Sequence, residues 1–418
     1  MWDWGFTDLL WRAPYAEKMN QLTIAHPLPR TVDIDSLQDF DRRVAHAKRA
    51  AEEGRPGGGS MTGWHVQSVD LTERGPELKA LKPSGAVFLG CILPAGMEQW
   101  LRARGALIFP ILPGVPFDAY RGALYSPQEL FAGIAERPYE GVPDALIYAW
   151  AHTALAPSTA SLDATLAAAL HDYSIGTALD QALRTFKRRK TVGIMGGHGI
   201  ERGTDAFAQT ALMGRKLAQA GFVVATGGGP GAMEASNFGA YLSSEDDDAA
   251  RRSLETLASA PSFRPSVSAW ARAAWSVLEE FPTGVRSVGI PTWFYGHEPP
   301  NLFATDIAKY FANSVREAVL LDRSRGGVVF MPGAAGTVQE IFQDACENYY
   351  GSASSVAPMV LVGAKYWTEQ LPAWPLLECL AKEREMEPLI ALVDSVEEAV
   401  SAVIHLNNRA HDVDETAS

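Results

Sequence analysis

The sequence predicts an α/β fold whose main body is a doubly wound parallel sheet. Three observations carry this. From Thr191 onward, short apolar runs alternate with helix-length stretches, the pattern of a parallel sheet covered on both faces. Three of those runs end in glycine-rich turns that each lead into a helical pattern: Gly196–Gly199, Gly227–Gly231 and Pro332–Gly336. The composition, 47% hydrophobic and 20% charged, provides an ample core.

The elements follow in order. Residues 1–185 read as an N-terminal accessory region, largely irregular, with an additional α/β stretch. Residues 54–60, Gly-Arg-Pro-Gly-Gly-Gly-Ser, form a turn or linker. Ala86–Ile92 reads as a buried strand, Gly96–Arg104 as a short helix and Ala106–Ile111 as a strand, closed by Pro110, Pro113 and Pro116. Residues 144–155 and 161–187 are rich in Ala and Leu and read as helices. The basic run Phe186-Lys-Arg-Arg-Lys190 reads as a solvated boundary, so the second domain is expected over 186–418.

In that domain strands are expected at Thr191–Met195, Phe222–Thr226, Val285–Ile290, Gly327–Met331, Met359–Val362 and Leu389–Val393. Helices are expected near 204–220 and over about 302–321. An insertion at about 244–282 interrupts the alternation. It holds the acidic run Glu245-Asp-Asp-Asp248, read as a solvated loop, and a Trp-rich helix near 266–280, read as a lid or an interface. There is no internal repeat.

Length and charge narrow the function. A chain of 418 residues suggests two or three domains. Its net charge of −13 disfavours nucleic acid and anionic membranes as general partners. Cys91, Cys346 and Cys379 lie far apart without a CxxC pair, which points away from a disulfide framework or a zinc site and toward a reducing cytoplasm. No apolar run has transmembrane length, and Met1-Trp-Asp-Trp-Gly5 lacks the features of a signal peptide. A cytoplasmic enzyme or binding protein remains, and with few clustered His, Cys or carboxylates neither a metal nor a cofactor is expected.

In a doubly wound sheet, ligands sit at the carboxyl ends of the strands, where all three glycine turns lie. Glycine lets backbone N–H groups approach an anion, and each following helix adds its positive end. Gly196, Gly197, Gly228, Gly229, Gly231, Gly333, Gly336 and Thr337 are therefore candidate phosphate contacts. None of the turns is a P-loop, since no Gly-Lys-Ser/Thr follows, and none is a full GxGxxG with a ribose-binding acid. Glu234 and Asn237 can meet ribose or base, or serve packing. His198 can approach a phosphate. His297 and Glu298 follow Trp293-Phe294-Tyr295, a mixture of aromatic and polar groups suited to a base pocket or to a structural turn.

The second and third turns resemble the paired signatures of the Lonely Guy (LOG) family, GGGxxGxM and PGGxGTxxE. Gly227–Asn237 fits the first, and Pro332–Glu340 fits the second with Ala334 in place of a glycine. Glu298-Pro-Pro-Asn301 resembles the larger bacterial nucleotide 5′-monophosphate nucleosidases of the same superfamily. The resemblance spans about 191–405. It implies a Rossmann-like domain that hydrolyses the N-glycosidic bond of a nucleoside 5′-monophosphate. Glu340 matches the family's catalytic glutamate, and Arg316, 16 residues before Pro332, its arginine. The resemblance also implies a homo-oligomer, with the Trp270/Trp275 helix as a possible interface element. The alternative is a nucleotide-binding or sensing protein with little turnover. Decarboxylation with pyridoxal phosphate requires a lysine in the pocket, and Lys309 alone lies between the second and third turns.

Overall fold

The computed structural model describes residues 31–186, 190–294 and 298–416. The N-terminal residues 1–30, most of the basic run at 186–190, Tyr295 and His297 lie outside them. Two compact units emerge. One comprises the described residues up to Val66 with Asp70–Phe88 and Ile92–Phe109. The other comprises Gln67–Val69, Leu89–Cys91 and the described residues from Pro110 onward. Residues 110–185 thus cluster with the larger unit.

The first unit is more regular than its sequence suggests. Strands β1 (Val32–Ile34), β2 (Trp64–Gln67), β3 (Val87–Leu89) and β4 (Leu107–Phe109) form a sheet in that order, with β1 and β2 parallel. Helix α1 (Leu37–Glu52) starts where the Ser36 hydroxyl accepts the Asp39 N–H, and it buries Phe40, Val44, Ala47 and Ala50 along one face. The strands have only three or four residues each, too few to show a clear period in sequence.

The second unit holds a seven-stranded sheet. Its strands are β5 (Thr191–Met195), β6 (Val223–Thr226), β7 (Val288–Gly289), β8 (Asp306–Ile307), β9 (Gly327–Phe330), β10 (Met359–Val362) and β11 (Ile390–Val393). All pair in parallel, in the order β11-β10-β9-β5-β6-β7-β8. The chain winds from β5 through β6 and β7 to β8. It then returns to lay β9 on the other side of β5. The switch point between β5 and β9 is where such sheets open a crevice. Every residue of β5, β6, β9 and β10 is buried, which is why these strands read as unbroken apolar runs.

The helices of eight residues or more in this unit are α2 (Pro143–Ala154), α3 (Leu162–Leu183), α4 (Asp205–Gln219), α5 (Ala232–Tyr241), α6 (Asp247–Ala258), α7 (Val267–Glu280), α8 (Asn313–Arg323), α9 (Ala335–Tyr349), α10 (Trp374–Ala381) and α11 (Val396–Thr416). Two expectations need correction. The acidic run is not a loop: Asp246 caps α6 by accepting the Ala249 N–H at 2.7 Å, and Asp247 and Asp248 occupy its first turn. Carboxylates at that end of a helix complement its dipole. The helix expected over 302–321 begins only at Asn313, because β8 intervenes. The apolar stretch before it is buried for another reason: the Asn301 side chain accepts the N–H groups of Phe303 and Ala304 in a turn.

Candidate active site

The three glycine turns follow β5, β6 and β9, which are neighbours in the sheet, so they emerge side by side. They are joined through backbone. The Gly197 N–H donates to the Pro332 carbonyl at 3.4 Å, and the Ala232 N–H donates to the Gly197 carbonyl at 3.2 Å. Gly231 shows why the second turn needs glycine. Its φ is +72°, and a Cβ there would lie 2.6 Å from the Gly197 oxygen and 2.7 Å from the His198 backbone. Asn301 braces the same turn: its N–H donates to the Gly228 carbonyl at 2.7 Å and its side-chain amide to the Gly229 carbonyl at 3.2 Å. Tyr366 holds the third turn, its hydroxyl donating to the Gly333 carbonyl at 2.7 Å.

Between the turns opens a cleft of about 640 Å³, a volume typical of small-molecule sites. The first residues of α9, Ala335, Gly336 and Thr337, line it. No side chain caps this helix, and N–H groups at such positions have no partner within the helix. A Cβ on Gly336 would meet nothing within 4 Å, so this backbone faces open space. Ala334, where the LOG-like signature has a glycine, has φ −97° and ψ −148°, so it does not need the left-handed backbone that favours glycine.

Glu340 stands one turn further along α9 and lines the same cleft. Burial pushes its carboxyl up to about 7, with Arg316 drawing it down and Glu317 pushing it further up. The Arg316 Nη1 lies 3.8 Å from the Glu340 Oε1. Arg316 is itself 8% exposed, and its bonds are long: 3.3 Å to Glu317 and 3.4 Å to Asn313. Its Nε has no hydrogen-bond partner among the described residues. A buried guanidinium with donors to spare is equipped to receive an acceptor from a ligand. Glu317, by contrast, is engaged, accepting from Asn313 at 2.7 Å and from Gln339 at 2.8 Å.

The structure brings together in this cleft Gly196, Gly197, Gly229, Glu298, Arg316, Gly336, Thr337 and Glu340. His198 also lines it and pairs with Glu298 at 3.3 Å. It does not bring in the rest. Gly228 and Gly333 shape the turns from behind: a Cβ on Gly228 would strike Pro291 at 2.7 Å, and one on Gly333 would strike Thr337 at 2.2 Å. Asn237 is fully buried, where it accepts from Thr226 at 2.6 Å and Asn301 at 3.0 Å and donates to Ser287 at 3.1 Å. It ties β6 to β7 rather than facing the cleft. Glu234 forms a buried ion pair with Arg202 beneath a smaller neighbouring cavity of about 210 Å³. Lys309 is buried against Asp144 at 2.6 Å, away from the cleft, so it offers no amine there. Trp270 is 1% exposed and lies under the Arg202 guanidinium inside its own unit, so of the two tryptophans of α7 only Trp275 keeps an accessible face.

Sequence reasoning missed Arg202, which lies in no motif, and Gln339, whose role follows only once α8 and α9 are side by side. Among the described residues, no group of three or more His, Cys, Asp or Glu side chains is placed to hold a metal ion, and no helix is long and apolar enough to cross a membrane.

The fold and site define an α/β protein with a doubly wound parallel sheet and a cleft at its topological switch point. No family model matches the sequence, and no curated protein does. Among solved structures, a molybdenum cofactor binding protein from Rippkaea orientalis is 15% identical, with 53% of this chain and 99% of that chain covered and a TM-score of 0.34. The molybdenum cofactor carrier protein from Chlamydomonas reinhardtii is 16% identical, with 52% and 98% covered and a TM-score of 0.32. Likeness at these scores carries no argument about chemistry.

Proposed function

We propose that the protein is a hydrolase that splits the N-glycosidic bond of a nucleoside 5′-monophosphate, consuming water and releasing free base and ribose 5-phosphate. The observation that carries this reading is the Arg316–Glu340 pair. A carboxyl held near 7 stands 3.8 Å from an under-bonded guanidinium, in a cleft rimmed by a helix N-terminus. The LOG-like motifs name the same two residues.

The chemistry follows from the geometry. The phosphate binds the N–H groups at the start of α9, where the dipole favours negative charge. Arg316 grips an oxygen of the phosphate or sugar. As the C1′–N bond breaks, positive charge develops at C1′, and the Glu340 carboxylate stabilises it and takes a proton from the attacking water. The hydroxyl of the water completes ribose 5-phosphate, and the proton that Glu340 took from it is passed on, directly or through solvent, to the departing base, which leaves the carboxylate regenerated and one water consumed. Near pH 7 Glu340 is divided between its two forms, the range in which a carboxyl serves best as a general base.

The test is incubation with a panel of purine and pyrimidine 5′-monophosphates, with free base read by chromatography. Base released from at least one member is expected. Binding without release from any member would instead support a nucleotide sensor.

A further inference from the structure

The helix that carries Arg316 is anchored by a carboxylate from elsewhere in the chain. At the start of α8 the N-cap is Ala312, which has no side-chain acceptor to offer. Asp172, buried in α3 and 140 residues away from Ala312 in sequence, instead holds the two residues that lead into the helix. Its Oδ1 accepts the Phe311 N–H at 2.9 Å and its Oδ2 the Ala312 N–H at 2.8 Å. The Ala312 carbonyl in turn accepts the Arg316 N–H at 3.2 Å. Asp172 therefore holds the residue on which the turn bearing Arg316 is built. The other end of α8 is tied to the same helix, α3, by Arg323 donating to Asp180 at 2.7 Å.

We propose that Asp172 is a positioning residue for the cleft: by binding the Phe311 and Ala312 amides it fixes the first turn of α8 and holds the Arg316 guanidinium against Glu340. This rests on the reading of Arg316 and Glu340 as a working pair. A carboxylate that merely stabilised the fold would leave that pair's electrostatics untouched.

The charged surroundings make the distinction measurable. Glu340 feels Arg316 and Glu317 from α8. Glu298 and His198 also line its cleft, and Asp344 follows it by one turn on α9. Next to Asp172 stand His171, whose Nδ1 is 3.3 Å from Oδ1, and the Tyr310 hydroxyl, whose titration Asp172 influences. Burial keeps the pKa of His171 below its usual value, and its Nε2 meets the Tyr125 hydroxyl at 2.8 Å, so the ring is neutral above pH 7.

The experiment follows the Glu340 carboxyl by ¹³C NMR on the ligand-free full chain, comparing the wild type with Asp172→Asn, Arg316→Ala and the double variant. Asparagine offers one acceptor where aspartate offers two. Arg316→Ala removes the cation that favours the carboxylate and is expected to raise the Glu340 titration by about one pH unit. Asp172→Asn is expected to move it in the same direction by roughly half a unit. Added to Arg316→Ala, it should produce no further shift, since both changes act on one interaction. Asp180→Asn, which loosens the far end of α8, should leave the titration unchanged. Ala312→Pro removes one of the two donors from the other side of the contact and decides the matter if Asp172→Asn does not fold. A wild-type titration in the folded variant, or equal shifts with and without Arg316, would overturn the proposal. No turnover is required, so a chain that releases no base fails the proposed activity while leaving this inference standing.

Discussion

A carboxyl kept out of water destabilises the fold once it ionises, and Glu340 allows that cost to be measured. In the native state its pKa lies near 7, against 4.5 in an ordinary setting. The folded form thus holds its proton more tightly than the unfolded form. The sign follows: between about pH 4.5 and 7 the unfolded chain binds fewer protons, so this group's contribution to stability falls as pH rises, then levels off above 7. A shift of this size corresponds to about 3 kcal/mol. Glu340→Gln removes the ionisation while keeping nearly the same shape. Its amide oxygen can still face Arg316, which also retains Glu317 and Asn313. The variant should therefore be more stable than the wild type at pH 8, with the gain shrinking toward zero near pH 4.5. Thermal unfolding at pH 5 and pH 8 reads this directly. At about 2–4 °C per kcal/mol, the pH 8 difference should be roughly 5 °C or more. A variant equally or less stable at pH 8, or a difference independent of pH, would refute the assignment of a buried, raised carboxyl.

Further outcomes are expected. Gly231→Ala should destabilise the larger unit by about 2–3 kcal/mol in chemical denaturation, since its methyl meets backbone at 2.6 Å and its φ is positive. Gly336→Ala should leave stability unchanged or slightly improved, because its Cβ meets nothing, yet weaken monophosphate binding by calorimetry if the phosphate lies there. Arg316→Ala should weaken both binding and turnover, whereas loss of turnover alone would assign the guanidinium to the transition state only. Adenosine 5′-monophosphate should exceed adenosine in kcat/KM by ~10-fold or more, because phosphate binding orients C1′. Equal values, with either one turned over, would count against a phosphate site.

Much of the larger unit is legible in its sequence for a physical reason. Strands such as Val328–Phe330 are buried on both faces, so their apolar runs show through, and the turns that follow them need glycine to let the backbone pass. Motif spacing singles out Glu340 and Arg316, and the cleft does contain both. What stays hidden depends on contacts between distant segments. Nothing near Asn237 announces that Thr226, Ser287 and Asn301 will satisfy it, and nothing near Glu234 announces Arg202. Asp172 is one polar residue in an Ala-rich helix until Phe311 and Ala312 arrive beside it. The Glu245–Asp248 run does not declare itself either, because a string of carboxylates suits a solvated loop and a helix start alike.

The central claim is that Glu340 acts on charge that exists only as the glycosidic bond breaks. The most direct measurement compares wild type and Glu340→Gln on the best monophosphate, reading free base by chromatography and ligand affinity by calorimetry on the same preparations. The account predicts a turnover lower by at least ~10²-fold with affinity largely retained. Wild-type turnover in the variant, or a loss of binding that accounts for the whole loss of rate, would contradict it.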